Sequence, residues 1–217
     1  MAGIGIFNYN VGWSNKASTV PWDKIVDGVY DLAASVVVLT EVSSVRKIAA
    51  LAKKLSHQHE RTFDSVAPKI GYDRIALLYD CSRFTLVSPY EVSCTMKTAA
   101  FDLARTDGGG TINVVAVHAP YKSNKRLDTL ARLNAMLGDG GLPTVVVGDV
   151  NTGPVALKTA LTYANAIAIT NNAHSTTETG TPAVDNIATS EGTIQDVDVL
   201  HNMSGSDHYP MVATWGS

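Results

Sequence analysis

Apolar stretches recur along this chain, and most of them stop at a polar residue. Residues 5–11 alternate and carry Asn10 to the C-terminal end of a predicted strand, before a turn at Trp13-Ser14-Asn15. Pro21-Trp22-Asp23 opens a predicted helix, in which Ile25, Val29, Leu32 and Ala33 recur with a period near 3.6. Residues 35–41 are apolar up to Thr40-Glu41, the pattern of a strand covered on both faces. A helix follows over about 44–55, with Arg46, Lys47, Lys53 and Lys54 on its wet side. Strands are predicted at 74–79, after Gly71-Tyr72-Asp73, and at 84–87, 91–95 and 112–117, the last reaching His118. Thr106-Asp107-Gly108-Gly109-Gly110 reads as a turn. Leu127, Leu130, Leu133 and Leu137 have the spacing of a core-facing helix, broken by 138–143. A strand over 144–147 ends at Gly148-Asp149-Val150-Asn151, and 155–164 reads as helical. The polar stretch 170–182 is a long loop; 183–189 and 195–201 are the next strands. Gly205-Ser206-Asp207-His208-Tyr209-Pro210 is a turn leading into the apolar run 211–215. Strands outnumber helices, and the helices fall between strands. Two packed sheets with helices outside would bury such strands on both faces.

Composition narrows the class. With 217 residues the chain suits one domain, 1–217, with a large core. Hydrophobic residues at 45% and charged residues at 17% mark a folded globular protein rather than a disordered one. The formal net charge of -3 supplies no global field to draw the protein onto nucleic acid, which argues against a passive coat but not against a nuclease with a local basic rim. Cys81 and Cys94 are too few for a disulfide scaffold or a zinc site; they are read as free and partly buried, with a single hairpin bridge left open. No signal peptide and no membrane-spanning run is evident, so a cytoplasmic location is the default, with export by another route left open. A monomer is expected.

The chemistry sits where the apolar runs end: Asn10, Glu41, His118, Asp149 with Asn151, and Asp207 with His208. Strand ends meet water, which accounts for any one of these. It accounts poorly for all of them together. Glu41 and Asp149 both follow Val-Val-Val runs, where a lone charge is costly unless something binds it.

The order Tyr-Asn-Val, Leu-Thr-Glu, Val-His-Ala-Pro, Gly-Asp-Val-Asn and Ser-Asp-His-Tyr-Pro resembles the endonuclease/exonuclease/phosphatase superfamily, DNase I-like proteins among them. The resemblance spans Asn10 to His208 and implies a four-layer αββα sandwich, an α/β fold with the site at one end of two mixed sheets. It implies that Glu41 is the principal metal ligand, with Asn10 and Asp207 close to a Mg²⁺ or Mn²⁺ ion. Asp149 and Asn151 would position the attacking water and the phosphate. His208 would be the site histidine, oriented by Asp185, and His118 the second histidine, paired with Asp73. Two His–Asp pairs would keep both imidazoles charged more of the time, suited to gripping a phosphate. Carboxylate and amide oxygens favour Mg²⁺ or Mn²⁺ over zinc. There are departures: Thr40 stands where the superfamily usually has Gln, and Ala183-Val184 where Arg usually precedes the Asp185 motif.

Two functions stay open at this point. One is a DNase I-like, metal-dependent endonuclease with DNA as substrate, its backbone gripped by a rim of Lys122, Lys125 and Arg126, with Arg132 beyond. The other is a phosphatase or phosphodiesterase acting on a small or lipid phosphate, favoured by the low net charge and short loops. A catalytically dead binding domain is the third reading, and the complete set of site residues speaks against it.

Overall fold

Alternation along the first strand decides how the molecule is layered. Ile4 and Ile6 point to one side of that strand, Phe7 and Tyr9 to the other, and all four are buried. A strand buried on both faces needs a cover on each, and the rest of the chain supplies it. The computed structural model describes residues 3–12, 22–87, 91–168, 177, 184–203 and 205–216. Its elements are β1 (Ile4–Asn10), α1 (Trp22–Asp31), β2 (Val36–Val42), α2 (Val45–His59), β3 (Phe63–Val66), β4 (Lys69–Ile70), β5 (Asp73–Asp80), β6 (Phe84–Leu86) and β7 (Glu91–Ser93). They continue with β8 (Thr98–Arg105), β9 (Thr111–His118), α3 (Ser123–Gly138), β10 (Thr144–Asp149), α4 (Pro154–Ala160), β11 (Ala166–Ile167), β12 (Asp185–Thr189), β13 (Thr193–Val199) and β14 (Met211–Gly216).

The strands form two seven-stranded sheets. One runs β13-β14-β1-β2-β5-β3 with β4 on β5; the other runs β11-β12-β10-β9-β8-β6 with β7 on β8. Each sheet has one parallel pair at its centre, β1 with β2 and β9 with β10, among antiparallel neighbours. Ile4, Ile6, Val36, Val38, Val114, Ala116, Val145 and Val147 form the layer between the sheets. Helices α1 and α2 cover the outside of the first sheet through Ile25, Val29, Ile48, Leu51 and Leu55. Helices α3 and α4 cover the second through Leu130, Leu133, Leu137 and Leu157. The result is the expected αββα sandwich, with the C-terminal ends of both parallel pairs at the same end. Among the described residues no helix is long and apolar enough to cross a membrane.

Several elements differ from the sequence reading. Helix α1 ends at Asp31, so Leu32 and Ala33 are not on its core face; both are exposed, and Ala33 is in the left-handed region with φ 47. Leu127 is 63% exposed because it lies in the first turns of α3, while Leu130, Leu133 and Leu137 reach the sheet. Helix α2 runs four residues past Leu55, and α4 stops at Ala160 rather than at 164. Strand β8, a full neighbour of β9, carried no strong sequence signal, and neither did β3, β4 or β11. Cys81 and Cys94 are free, but Cys94 is exposed rather than partly buried. The predicted turn at 13–15, Pro21, Ala183 and all of the predicted loop 170–182 except Thr177 lie outside the described residues; Thr177 forms an isolated antiparallel bridge with His208.

Candidate active site

Strand β1 delivers Asn10 to the shared end of the sandwich, on the same face as Ile4 and Ile6 and therefore between the sheets. Its parallel partner β2 pairs Thr40 beside it. Glu41, the next residue, would point away from Asn10 in a regular strand. The pairing of β2 with β5 slips between Leu39 and Val42, and Glu41 takes φ 56 in the left-handed region. Such a bulge re-aims a side chain, and a non-glycine residue in this conformation costs on the order of 1–3 kcal/mol that the surrounding sheet must offset. The outcome is a carboxylate whose Oε1 accepts a hydrogen bond from Asn10 Nδ2 at 3.2 Å.

The second sheet supplies the other half. Register pairs His118 at the end of β9 with Asp149 at the end of β10, and Asp149 with Asp185 at the start of β12. Asp149 is nearly fully buried. Its Oδ2 accepts from Asn10 Nδ2 at 3.2 Å, and its Oδ1 from the Asn151 amide at 2.8 Å. Asn151 has φ 49, and its side chain donates to the Ala119 carbonyl at 2.7 Å. His118 Nε2 lies 3.3 Å from Glu41 Oε1 and 3.9 Å from Asp149 Oδ2. The turn before β14 closes the ring: Ser206 Oγ donates to the Asn10 carbonyl at 2.7 Å, and the His208 amide donates to Ser206 Oγ at 3.2 Å. His208 Nε2 then sits 3.5 Å from Asn10 Nδ2 and 3.9 Å from Asp149 Oδ2.

Asp185 is the partner of His208, as the sequence suggested. Its Oδ2 lies 2.7 Å from His208 Nδ1, and Asn8 Nδ2 donates to its Oδ1 at 3.3 Å. Asn8, fully buried, was missed; the available signal was a polar residue at the core-facing register of β1, two positions before Asn10. Burial would lower the pKa of His208, but Asp185 first, then Asp149 and Asp207, outweigh it and raise it to about 9.

The second histidine is different. Asp73 Oδ2 stands 4.0 Å from His118 Nδ1, too far for a hydrogen bond, and Nδ1 is buried without a partner. Lys97 sits 3.6 Å from Asp73 Oδ2, and its carbonyl accepts the His118 amide at 2.9 Å. Burial, then the Lys97 charge and that of His208, push the His118 pKa down to about 3. The expectation that both imidazoles are held charged is met in direction only by His208; the surroundings of His118 push it the other way, toward the neutral form. Lys97 was also missed. Its φ of 50 makes it, with Glu41 and Asn151, one of three left-handed non-glycine residues around the site.

The basic rim divides. Lys122 and Lys125 are exposed at the start of α3, but Arg126 Nη1 donates to the Asn151 carbonyl at 2.9 Å and braces the Asp149–Asn151 loop. Arg132 lies away from the site, lining a cavity of about 500 Å³ with Asp102, Asn113 and Asp139. Asp207 is exposed, with Oδ1 3.4 Å from Ser206 Oγ.

No family model matches the chain, and no curated protein matches it. Solved structures do. D. rerio TDP2 complexed with a single-strand DNA product superposes with TM-score 0.77 at 12% identity, over 100% of both chains. An endonuclease/exonuclease/phosphatase family protein from Bacteroides thetaiotaomicron gives 0.65 at 15% identity, over 98% of this chain and 97% of that one. A mannosyl-6-phosphatase from the same organism gives 0.65 at 13%, over 97% and 98%. The chain has the endonuclease/exonuclease/phosphatase fold. At these identities the likeness speaks to architecture, and the chemistry rests on the residues themselves.

Those residues suit a hard divalent cation at the open end of this fold. At Asp149, burial first, and then the Asp185 charge, raise the pKa well above the carboxylate range. Among the described residues no three His, Cys, Asp or Glu side chains form a closed cage.

Proposed function

We propose that the protein is a divalent-metal-dependent phosphodiester hydrolase, acting on DNA as an endonuclease. The observation that carries the reading is the convergence of Asn10 and Glu41 from one sheet with His118 and Asp149 from the other, beside the His208–Asp185 pair, with separations of 3.2–3.9 Å around Asn10 and Asp149. Glu41 would hold the cation; Asn10, whose Nδ2 faces Glu41 and Asp149 and whose Oδ1 accepts from the Gly12 amide at 3.1 Å, and the exposed Asp207 would complete its surroundings. When bound, the cation neutralises a non-bridging phosphoryl oxygen and the developing charge on the leaving oxygen.

The side chains divide the remaining work. Asp149, whose proton affinity is raised, takes a proton from the attacking water as the water oxygen bonds to phosphorus and the bond from phosphorus to the leaving oxygen breaks, that oxygen taking its proton from solvent. Asn151, fixed by the Ala119 carbonyl and by Arg126, sets where the phosphate rests. His208, held as an imidazolium by Asp185, donates to a phosphoryl oxygen and carries positive charge to the phosphorane. His118, neutral, presents Nε2 beside Glu41 and Asp149. Asp73 acts on Lys97 and only indirectly on His118.

A phosphatase acting on a small phosphate is the second reading. It is favoured by the net charge of -3 and by the diversion of Arg126 from the rim to the Asn151 carbonyl. Among the similar structures, one binds a single-strand DNA product and one is a mannosyl-6-phosphatase, so the fold carries both kinds of substrate. Supercoiled plasmid with Mg²⁺, with and without EDTA, set against a panel of phosphomonoesters, separates them. Nicked circles that vanish with EDTA support the endonuclease. Free phosphate with intact plasmid supports the phosphatase.

A further inference from the structure

Thr40 stands in the layer of the site without a role in it. It pairs with Asn10 in the β1–β2 register, on the face that Val36 and Val38 turn toward the other sheet. The Val11 amide donates to its carbonyl at 3.1 Å, so its backbone is pinned between Asn10 and Glu41. Thr40 is fully buried, yet its Oγ1 finds no hydrogen-bond partner among the described residues. Valine fills three of the four preceding positions of β2, and a valine at 40 would have left no polar atom stranded. A buried hydroxyl without a partner destabilises a fold, whereas an apolar group of the same shape does not. Breaches of a local rule of this kind are expected at functional sites.

A second unmet atom lies in the same layer. Strand β9 lies across the seam from β2 and ends at His118, whose Nε2 stands 3.3 Å from Oε1 of Glu41, the residue after Thr40. The other ring nitrogen, Nδ1, is also buried without a hydrogen-bond partner among the described residues, since Asp73 stands off at 4.0 Å. A hydroxyl can donate or accept, and a ring nitrogen does one or the other according to whether it carries a proton. Turning Thr40 about its Cα–Cβ bond exchanges Oγ1 with a methyl group of nearly the same size. The hydroxyl can therefore be re-aimed without repacking the seam.

We propose that Thr40 is a positioning residue for His118: its hydroxyl closes on Nδ1 as the site grips a phosphate, and holds the ring with Nε2 toward Glu41 and Asp149. The inference rests on the phosphoesterase reading above and gives that same site a further residue. An imidazole fixed at one nitrogen presents the other in one tautomer and one orientation. The fold gives up stability at residue 40 in order to steady that ring.

The test sets stability against turnover in Thr40→Val and Thr40→Ser. Urea denaturation in EDTA should give Thr40→Val a midpoint roughly 0.5 M above that of the native protein, and Thr40→Ser, which loses a packed methyl group, a lower one. Mg²⁺-dependent hydrolysis is measured on whichever of plasmid and phosphomonoester the native protein cleaves. Its kcat should fall by roughly 10- to 100-fold in Thr40→Val with KM little changed, and Thr40→Ser should keep more turnover than Thr40→Val. The more stable variant is then the slower one, which a purely structural role would not produce. In a His118→Ala background, Thr40→Val should alter turnover by less than about twofold, because the ring it acts through is gone. A full multiplicative loss in that background, native turnover in Thr40→Val, or a Thr40→Val midpoint at or below the native one overturns the inference, while hydrolysis by the native protein leaves the phosphoesterase reading standing. A native protein inert toward both substrates overturns that reading, and the inference falls with it.

Discussion

Replacing Asp185 by Asn tests the most tightly organised part of the site. Asp185 is fully buried, with one oxygen on His208 Nδ1 at 2.7 Å and the other on Asn8 Nδ2 at 3.3 Å. Folding raises the His208 pKa from 6.5 to about 9. A histidine whose pKa rises on folding contributes its full stabilisation below its unfolded value, and loses it as pH climbs to the folded one. The window is therefore pH 6.5 to about 9. Each pH unit across it corresponds to about 1.4 kcal/mol, which gives about 3 kcal/mol in all. His118 does not obscure this, since its pKa is lowered to about 3 and its contribution changes below 6.5; Asp149, raised to about 7 by burial and then by the Asp185 charge, adds to the fall in the lower part of the window, so the step from pH 7.5 to 8.5 is the one that reads His208. Urea denaturation in EDTA at pH 6.5, 7.5 and 8.5 reads the slope, to which Cys81, its thiol pushed up by burial, begins to add at the top of the range. With Asn at 185 the main attraction for the His208 proton is gone and burial opposes charging, so the slope should flatten. The same substitution should cut Mg²⁺-dependent hydrolysis by roughly 10²-fold or more and add little to the loss in His208→Ala. A native protein whose unfolding free energy is level from pH 6.5 to 8.5, or an Asp185→Asn protein that keeps the native slope, would show that Asp185 does not hold the His208 charge.

Other outcomes follow from the same geometry. Glu41→Gln should abolish cation-dependent activity while urea stability holds or rises, because the site loses one of its crowded negative charges; near-native turnover at limiting Mg²⁺ would remove Glu41 from the cation site. Gly148→Ala should prevent stable folding or lower the melting temperature sharply, since its φ is +141 and a Cβ there would lie 2.0 Å from the Val117 carbonyl oxygen across the parallel β9–β10 pair. Arg126→Ala should lower turnover with little change in the salt dependence of DNA binding, whereas Lys122→Ala with Lys125→Ala should flatten that dependence by roughly 0.9 in log–log slope per lost duplex phosphate contact.

The strands of the two parallel pairs, though not their pairing, were legible because they are largely apolar and end in polar residues. A sequence that reads Val-Val-Val and then Glu or Asp reports both burial and the place where burial stops. Strand β8 was not legible. Its alternation is real, but Ala99, Ala100 and Ala104 carry little strand preference and blur the pattern. Leu127 and Leu32 misled for the opposite reason: periodicity marks a helix face but not where the sheet beneath it begins or ends. At the site, the His208–Asp185 pair could be read because both residues sit in short motifs. Asn8, Lys97 and the role of Arg126 could not. Each acts through a partner far away in sequence, and for Arg126 the partner is a backbone carbonyl that any residue would supply.

The division of the site between the two sheets has a consequence for how rate responds to change. Asn10 and Glu41 move with one sheet, His118 and Asp149 with the other, and contacts as close as 3.2 Å bridge the seam. What fixes the alignment of the halves is the interlocking of Val36, Val38, Val114, Ala116 and Val147 behind them. A close-packed interior transmits small displacements instead of absorbing them. A methyl group lost from that seam should let the sheets shift against each other, and the shift would reach the end where the two halves meet. On the function proposed above, turnover should therefore gauge the interior and fall while the fraction of folded chains is still unchanged.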